Sequence, residues 1–292
     1  MLFTRFAPSP TGYLHRGHLL SALFVFAAAD LFSAKVRLRI EDHDKSRARR
    51  EYIDSIPEDL ERLGFKFESV SLQSKRQALY EKYAEILFSK QKLYPCSCSR
   101  KKLFEENPVN ADGEVIYSGH CLKNSINKNS DFALRFKTPD KTITWEDLLL
   151  GKFEENPKNQ CGDFTIKDRI SQWTYQFAVC VDDLEENIGL VVRGEDLRNS
   201  TARQIALLEA LGKKTPPLYL HHPLLTEKSG EKLSKRQHSK SLRAELEQGL
   251  SIEDLLGLVC YEAHSIPKKA PLTLNEAIYS IQKTYFSCFL KK

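Results

Sequence analysis

The sequence of 292 residues contains no apolar run that could cross a lipid bilayer. Its longest candidate, residues 19–31, is shorter than the roughly 20 residues that a membrane-spanning helix requires. A charged segment, KVRLRIEDHD, follows this run, where a secretory signal would have a cleavage site of small residues. We therefore expect residues 19–31 to form a buried helix in a cytoplasmic protein that has no membrane partner.

The signs of a disulfide-stabilised protein are also missing. The seven cysteines are an odd number, and no export signal accompanies them. Cys96, Cys98 and Cys121 lie close together, and a group of soft thiolates favours a structural zinc site. Reduced thiols without a metal are the alternative. The remaining cysteines are scattered and are expected to pack as small buried side chains: Cys161, Cys180, Cys260 and Cys288.

Two residues near the clustered cysteines could complete a tetrahedral zinc site. Tyr117 and His120 both lie between Cys98 and Cys121. Zinc chemistry alone favours His120, because imidazole is the commoner ligand.

Charge and composition identify no partner by themselves. The balance of 44 basic and 39 acidic residues gives a net charge of +5, a mild excess that is compatible with a polyanionic partner. Basic residues are concentrated at 45–50, 99–102 and 231–240, and each group alone is typical of a solvated face. There is no internal repeat and no low-complexity segment.

The first third of the sequence has the pattern of an α/β protein. Residues 2–7 and 35–42 read as strands on either side of a helix at 16–33, which predicts a βαβ unit in a parallel sheet. Apolar residues recur at helical spacing in EYIDSIPEDLERLG and in RQALYEKYAEILFSKQK, with Gly64 as a stop signal.

Changes in composition suggest four segments. We expect residues 1–94 and 161–240 to form two halves of a catalytic domain, and residues 95–160 to be an inserted subdomain with the zinc site. Within the second half, WTYQFAVCVDD, NIGLVVRG and LYLHHPLLT are predicted to complete the sheet. Residues 241–292 carry two helical patterns and are predicted to form a short helical tail.

The segment APSPTGYLHRGH, residues 7–18, has the features of a phosphate site. A strand, a tight turn and a helix start place unpaired N–H groups and a partial positive charge at the turn. Gly12 and Gly17 allow close approach, and His15 and His18 share one face of the first helical turn. In isolation, two such histidines could simply cap an apolar helix.

A second basic motif, EKLSKRQHS, lies far downstream and contains Lys232, Ser234 and Lys235. Alone it is typical of a surface loop. Combined with the H-R-G-H turn in a βαβ chain, it becomes the other half of an ATP site.

Together, RFAPSPTGYLHRGH and KLSKR resemble the HIGH and KMSKS signatures of class I aminoacyl-tRNA synthetases. RIEDHD, VVRGEDL and HHPLL are similar to the corresponding segments of glutamyl-tRNA synthetases, and the resemblance covers about residues 2–240. It implies a Rossmann-like catalytic domain that uses ATP with Mg²⁺.

The resemblance also implies roles for individual residues. Amino-acid activation uses the carboxylate of the substrate as nucleophile, so the protein mainly positions reactants and stabilises negative charge. The implied catalytic residues are His15, His18 and Lys235, and the implied ATP-binding residues are His15, Gly17, His18, Lys232, Ser234 and Lys235.

For L-glutamate, the resemblance implies contacts from Arg5 and Arg193 to carboxylates, from Glu41 to the ammonium and from Tyr175 as a wall. Arginine suits carboxylates because its planar fork makes two parallel bonds. The full implied set is Arg5, Phe6, Ala7, Pro8, Ser9, Glu41, Tyr175 and Arg193.

The C-x-C…Y-x-x-x-C pattern and the short tail resemble shortened paralogues, the glutamyl-Q tRNA(Asp) synthetases, and imply Tyr117 as the fourth zinc ligand. Members of that family transfer glutamate to queuosine in the anticodon loop of tRNA(Asp), where unpaired bases can be splayed out and read. We expect such an enzyme, acting as a monomer. The alternatives are a minimal glutamyl-tRNA synthetase that charges the 3′ end, a related nucleotidylyltransferase, and a catalytically silent tRNA-binding paralogue.

Overall fold

The structure is a computed structural model that describes residues 1–44, 46–123, 131–225 and 240–290. In residues 1–123 its elements are β1 (Leu2–Phe6), α1 (Arg16–Leu31), β2 (Ala34–Ile40), α2 (Arg50–Arg62), β3 (Ser69–Leu72), α3 (Gln77–Ser89), β4 (Leu93–Cys96), α4 (Arg100–Glu106) and α5 (His120–Lys123). In residues 131–290 they are β5 (Ala133–Phe136), β6 (Ile143–Asp147), β7 (Gly151–Glu155), α6 (Pro157–Cys161), β8 (Thr165–Lys167), α7 (Tyr175–Glu185), β9 (Leu190–Gly194), α8 (Thr201–Leu211), β10 (Leu218–His222), α9 (Leu242–Glu247), α10 (Ile252–Glu262) and α11 (Leu274–Tyr285).

Parallel strands form the centre of the fold, as the sequence predicts. β1 pairs with β2 in parallel, with Leu2 opposite Ala34, and β2 pairs with β3 in the same way. A second sheet has the order β7-β6-β10-β9, in which β10 runs parallel to both β9 and β6. β1 lies beside β9, where the Gly189 N–H donates to the Phe3 carbonyl at 3.0 Å. The strand order therefore reverses between β1 and β9.

Helix α1 is buried because elements cover it on several sides. It contacts β1, β2 and β9 on one side and α10 and α11 on another. This explains why its sequence is apolar almost all round, with Leu23 and Phe24 fully buried. No helix in the described ranges combines the length and the apolarity that a membrane span needs.

One predicted strand is wrong. The segment WTYQFAVCVDD belongs largely to helix α7, which packs against α3 and α8. Phe177, Ala178 and Val181 are buried, a spacing that lies on one helical face. A short apolar run of this kind fits a strand or a buried helix equally well, so the pattern alone could not decide.

The cysteines lie beside a small antiparallel sheet with the order β4-β5-β8. Residues 95–160 therefore contribute to two sheets, because the β6–β7 hairpin joins β10 rather than the β4-β5-β8 sheet. Trp145 packs on Phe153 and Tyr219 and fixes the hairpin there.

The tail divides into three helices within residues 240–290. The first predicted pattern separates into α9 and α10 at Gly249, whose φ of +98° suits glycine. Ser251 then caps α10 by accepting a hydrogen bond from the Asp254 N–H.

Candidate active site and metal centre

A cavity of about 590 Å³ opens at the carboxyl ends of β1, β2 and β9. This is where the strand order reverses, the usual ligand position in an open parallel sheet. All of the residues predicted to bind glutamate line it except Pro8, and His18 lines it as well. Pro8 lies behind the wall, where its carbonyl accepts a hydrogen bond from the Glu41 N–H at 3.0 Å.

Arg5 enters the cavity from β1 with part of its charge already balanced. Its Nε donates to Asp183 Oδ1 at 3.0 Å, and Nη1 donates to the Val192 carbonyl at 3.3 Å. Asp183 also accepts a bond from Arg39 at 2.7 Å, which joins Arg5 to a buried ionic network. Both arginines lower the pKa of Asp183 despite its burial.

Arg193, at the end of β9, has a different environment. Its guanidinium donates to His221 Nε2 at 3.0 Å, Gln204 Oε1 at 2.7 Å and Thr201 Oγ1 at 2.9 Å. These acceptors are uncharged when His221 is neutral, and burial lowers the pKa of His221. Among the described residues, no carboxylate forms an ion pair with Arg193, so its positive charge remains available to a ligand.

Glu41 lies directly after β2, and its side chain faces the cavity with 6% of the residue exposed. Burial raises the pKa of this carboxyl to about 7, although Arg39 and Arg5 oppose the shift. No described residue donates a hydrogen bond to the carboxylate. A ligand ammonium would supply both the missing charge and the missing donors.

Tyr175 begins α7 and completes the cavity wall. It is half-buried, and burial raises the pKa of its hydroxyl, so it remains a protonated donor at neutral pH. The helix start thus presents an aromatic face and one hydrogen-bond donor next to the two arginines.

His15 and His18 pack together at the start of α1. His15 Nδ1 accepts from the Gly17 N–H at 3.1 Å, and His18 Nδ1 accepts from the His15 N–H at 3.2 Å. The rings lie 3.9 Å apart between centroids. Since both Nδ1 atoms accept, each neutral ring carries its proton on Nε2 as a donor. Capping and a phosphate-directed role are thus compatible, because they use opposite ring nitrogens.

The residues of the second motif, Lys232, Ser234 and Lys235, lie outside the described residues. The described part of the chain resumes at Lys240, and the residues that follow lie at the H-R-G-H turn. Ser241 forms a β-bridge with His15, and the Leu242 N–H donates to the Leu14 carbonyl at 2.8 Å.

The sequence did not identify several residues that support the site. Thr201, Gln204 and His221 accept hydrogen bonds from Arg193, and Asp147 bonds to His221, although these four residues come from three different elements. Only His221 had a signal, as part of the HHPLL segment. His43, Arg47 and Trp173 also line the cavity.

The three clustered cysteines meet in one buried group. The Sγ atoms of Cys96, Cys98 and Cys121 lie within 4.8 Å of one another. The Tyr117 hydroxyl lies 3.5 Å from Cys96 Sγ and 3.6 Å from Cys98 Sγ, whereas His120 contacts Lys102 at 3.3 Å. Three thiols at this spacing are compatible with a zinc ion, and Tyr117 rather than His120 lies beside them.

Comparison with known proteins agrees with this arrangement. Residues 1–265 match the family model described as the catalytic domain of class I tRNA synthetases (E and Q). The glutamyl-Q tRNA(Asp) synthetase of Nitratidesulfovibrio vulgaris is 35% identical over an alignment of 296 positions that covers 95% of this chain and 91% of that protein. The glutamate–tRNA ligase of Aquifex aeolicus is 36% identical over 276 residues, but the match spans only 58% of its length.

Solved structures give the same result. The crystal structure of glutamate–tRNA synthetase from Elizabethkingia anophelis superposes with a TM-score of 0.77 at 26% identity, covering 95% of this chain and 65% of that one. The buried Arg5, Arg193 and Glu41 in the cavity, the histidine pair that caps α1 and the family match over most of the chain lead to one assignment. The chain belongs to the class I tRNA synthetases of the glutamate and glutamine group.

Proposed function

We propose that this protein activates L-glutamate with ATP and transfers it to the queuosine base in the anticodon loop of tRNA(Asp). The observation that carries the first half is the charge pattern of the cavity. Of the charged side chains that line it, the buried ones are the guanidinium groups of Arg5 and Arg193 and the carboxyl of Glu41, and these match the two carboxylates and one ammonium of glutamate. A neutral amino acid would leave a buried charge without a partner.

In the proposed first step, a glutamate carboxylate oxygen attacks the α-phosphorus of ATP and pyrophosphate leaves. Because the nucleophile belongs to the substrate, the protein needs donors rather than its own nucleophile. His15 and His18 would donate through Nε2, and Lys232, Ser234 and Lys235 would hold the phosphates. Mg²⁺ would bind with ATP and neutralise phosphate charge.

The choice of acceptor rests on the relatives. The match to the Nitratidesulfovibrio protein spans nearly the whole of both chains, and that protein is a glutamyl-Q tRNA(Asp) synthetase. A similar relative from Neisseria meningitidis serogroup C is 39% identical over 242 residues. The Cys96–Cys98–Tyr117–Cys121 group would hold one structural Zn²⁺ and thereby fix the segment between β4 and β5.

Charging of the 3′ end of a tRNA is the second candidate, because the Aquifex glutamate–tRNA ligase is equally similar in sequence. One experiment separates the two. Labelled glutamate and ATP are supplied with tRNA(Asp) that carries queuosine, with the same tRNA lacking it, and with tRNA(Glu). We expect label only on the first, and label that survives removal of the 3′-terminal adenosine. Label on tRNA(Glu) instead would refute the queuosine proposal and favour 3′ charging.

A further inference from the structure

The surroundings of Arg193 go beyond what the proposed function requires, and the inference from them rests on that function. Three side chains from two elements accept hydrogen bonds from this one guanidinium: Thr201 and Gln204 from α8, and His221 from β10. Arg5, by contrast, is paired directly with the carboxylate of Asp183. The acceptor that holds Arg5 is therefore negatively charged, whereas the acceptors that hold Arg193 are uncharged.

The proton position on His221 follows from its two partners. Arg193 Nε always carries a hydrogen, so His221 Nε2 must be the acceptor. The ring proton then lies on Nδ1 and is donated to Asp147 Oδ2 at 2.6 Å. Neither side chain is exposed to solvent, so no water competes for these bonds.

Asp147 is itself fixed by the backbone. Its Oδ2 also accepts from the His221 N–H at 3.0 Å, while Oδ1 accepts from the N–H groups of Leu149 and Leu150 at 2.9 and 3.0 Å. Both oxygens of this carboxylate therefore already accept hydrogen bonds from backbone N–H groups. The hairpin that carries Asp147 thus determines which nitrogen of His221 is protonated.

We infer that Asp147 and His221 are positioning residues that orient Arg193 through an uncharged acceptor and leave its charge for a substrate carboxylate. A carboxylate bound directly to Arg193 would orient it equally well but would compete with the substrate. An intervening neutral imidazole supplies the orientation and keeps the negative charge of Asp147 one ring away.

Asp147→Asn tests the hydrogen bonds that run from Asp147 through His221 to Arg193. The Leu149 and Leu150 N–H groups would keep the amide oxygen, so the amide NH₂ would face His221 and force the proton onto Nε2. Two N–H groups would then oppose each other between His221 and Arg193. We expect KM for glutamate in ATP–pyrophosphate exchange to rise about 10- to 100-fold, with kcat and KM for ATP within about threefold.

A matched pair at His221 keeps the test independent of how Asp147→Asn folds. His221→Gln can place an amide oxygen near the Nε2 position, so its KM for glutamate should stay within about fivefold of the unsubstituted value. In His221→Phe the KM for glutamate should rise as it does in Asp147→Asn. The inference would be overturned if KM for glutamate were unchanged in His221→Phe. It would also be overturned if KM rose equally in His221→Gln and His221→Phe. Absence of glutamate-dependent exchange in the unsubstituted protein, with tRNA present, would refute the proposed function and the inference together.

Discussion

At the scale of single residues, the cavity is selected for ligand binding at a cost in stability. The buried carboxyl of Glu41 has no described hydrogen-bond donor, and its pKa is raised to about 7. In the unfolded chain the same group would ionise near its ordinary value of 4.5. The folded protein therefore holds an extra proton between these values, and ionised Glu41 opposes folding above them.

We predict that Glu41→Gln stabilises the folded protein relative to the unsubstituted protein as pH rises. A raised folded-state pKa contributes stability that is present below pH 4.5 and lost as pH rises through about 7. The variant lacks this loss, so its free energy of unfolding should gain about 2 kcal/mol relative to the unsubstituted protein between pH 5 and pH 8. Denaturant unfolding at both pH values measures it, and a constant difference would contradict the assignment.

Glutamate affinity should depend on the same ionisation of Glu41, but the ionised form that opposes folding should favour binding. The ligand ammonium requires ionised Glu41, so the dissociation constant should rise by up to about tenfold per pH unit below pH 7. Titration calorimetry of unsubstituted protein and Glu41→Gln from pH 5.5 to 8 checks this. We expect weak, pH-independent binding in the variant; a sloping curve there would assign the ionisation to another group.

At the scale of elements, the start of α1 combines two functions in a few residues. The His15 ring folds back over Gly17, so a Cβ at Gly17 would lie 3.0 Å from His15 Cε1 and 3.1 Å from Nδ1. Glycine at this position therefore allows the His15 ring to lie against the backbone.

Gly17→Ala should displace the His15 ring without unfolding the helix. Alanine favours helix by up to about 1 kcal/mol over glycine, which offsets the crowding. We expect the melting temperature to change little, while kcat/KM for ATP falls about tenfold and KM for glutamate stays within about twofold. Unaltered ATP kinetics would show that the position of the His15 ring is irrelevant to ATP.

The tail is joined to the same turn by Arg16, the second residue of H-R-G-H. Its Nε lies 3.3 Å from Glu245 of α9, and its Nη1 pairs with Glu262 of α10. Glu245 is 7% exposed, and burial raises the pKa of its carboxyl although Arg16 opposes the shift. Removing Arg16 would leave two acidic groups close together without their cation.

We predict that Arg16→Gln lowers the free energy of unfolding by about 1 to 3 kcal/mol, and that adding Glu245→Gln recovers part of the loss. A double-mutant cycle measured by denaturant unfolding gives the coupling. Strict additivity of the two substitutions would contradict a direct pair.

Sequence patterns predicted β1, α1 and β2 correctly because turn formers and charged residues mark the boundaries of these segments. The same patterns failed for α7, whose short apolar run fits two conformations. They also missed Asp147, Thr201 and Gln204, because these residues carry no local motif and meet Arg193 or its partner His221 only in the folded chain. Arg193 itself was predicted from a resemblance, and its environment could be described only from the structure.

At the scale of the whole molecule, the cysteine group is expected to hold together a segment that has little core of its own. Within the described part of the chain, the cluster around Cys96, Cys98, Tyr117 and Cys121 gains one further buried side chain, Tyr94, and one partly buried side chain, Leu103. A metal would therefore contribute directly to folding of this region.

We predict one zinc per chain in purified protein, measured by elemental analysis, and loss of that zinc in Cys98→Ser. Cys288→Ser is the matched control, because Cys288 is exposed and lies outside the cluster. Chelation should increase proteolysis between β4 and β5. Full zinc content in Cys98→Ser would contradict the proposed ligand set.

The most direct test of the whole account is ATP–pyrophosphate exchange with glutamate, glutamine and aspartate, each with and without added tRNA. We expect exchange with glutamate and no exchange in Arg193→Ala. With glutamine the efficiency of exchange should be lower than with glutamate by about 100-fold or more, because a cavity arginine loses its carboxylate partner. Equal efficiency with glutamine, or glutamate-dependent exchange that persists in Arg193→Ala, would show that this cavity is not where glutamate is selected.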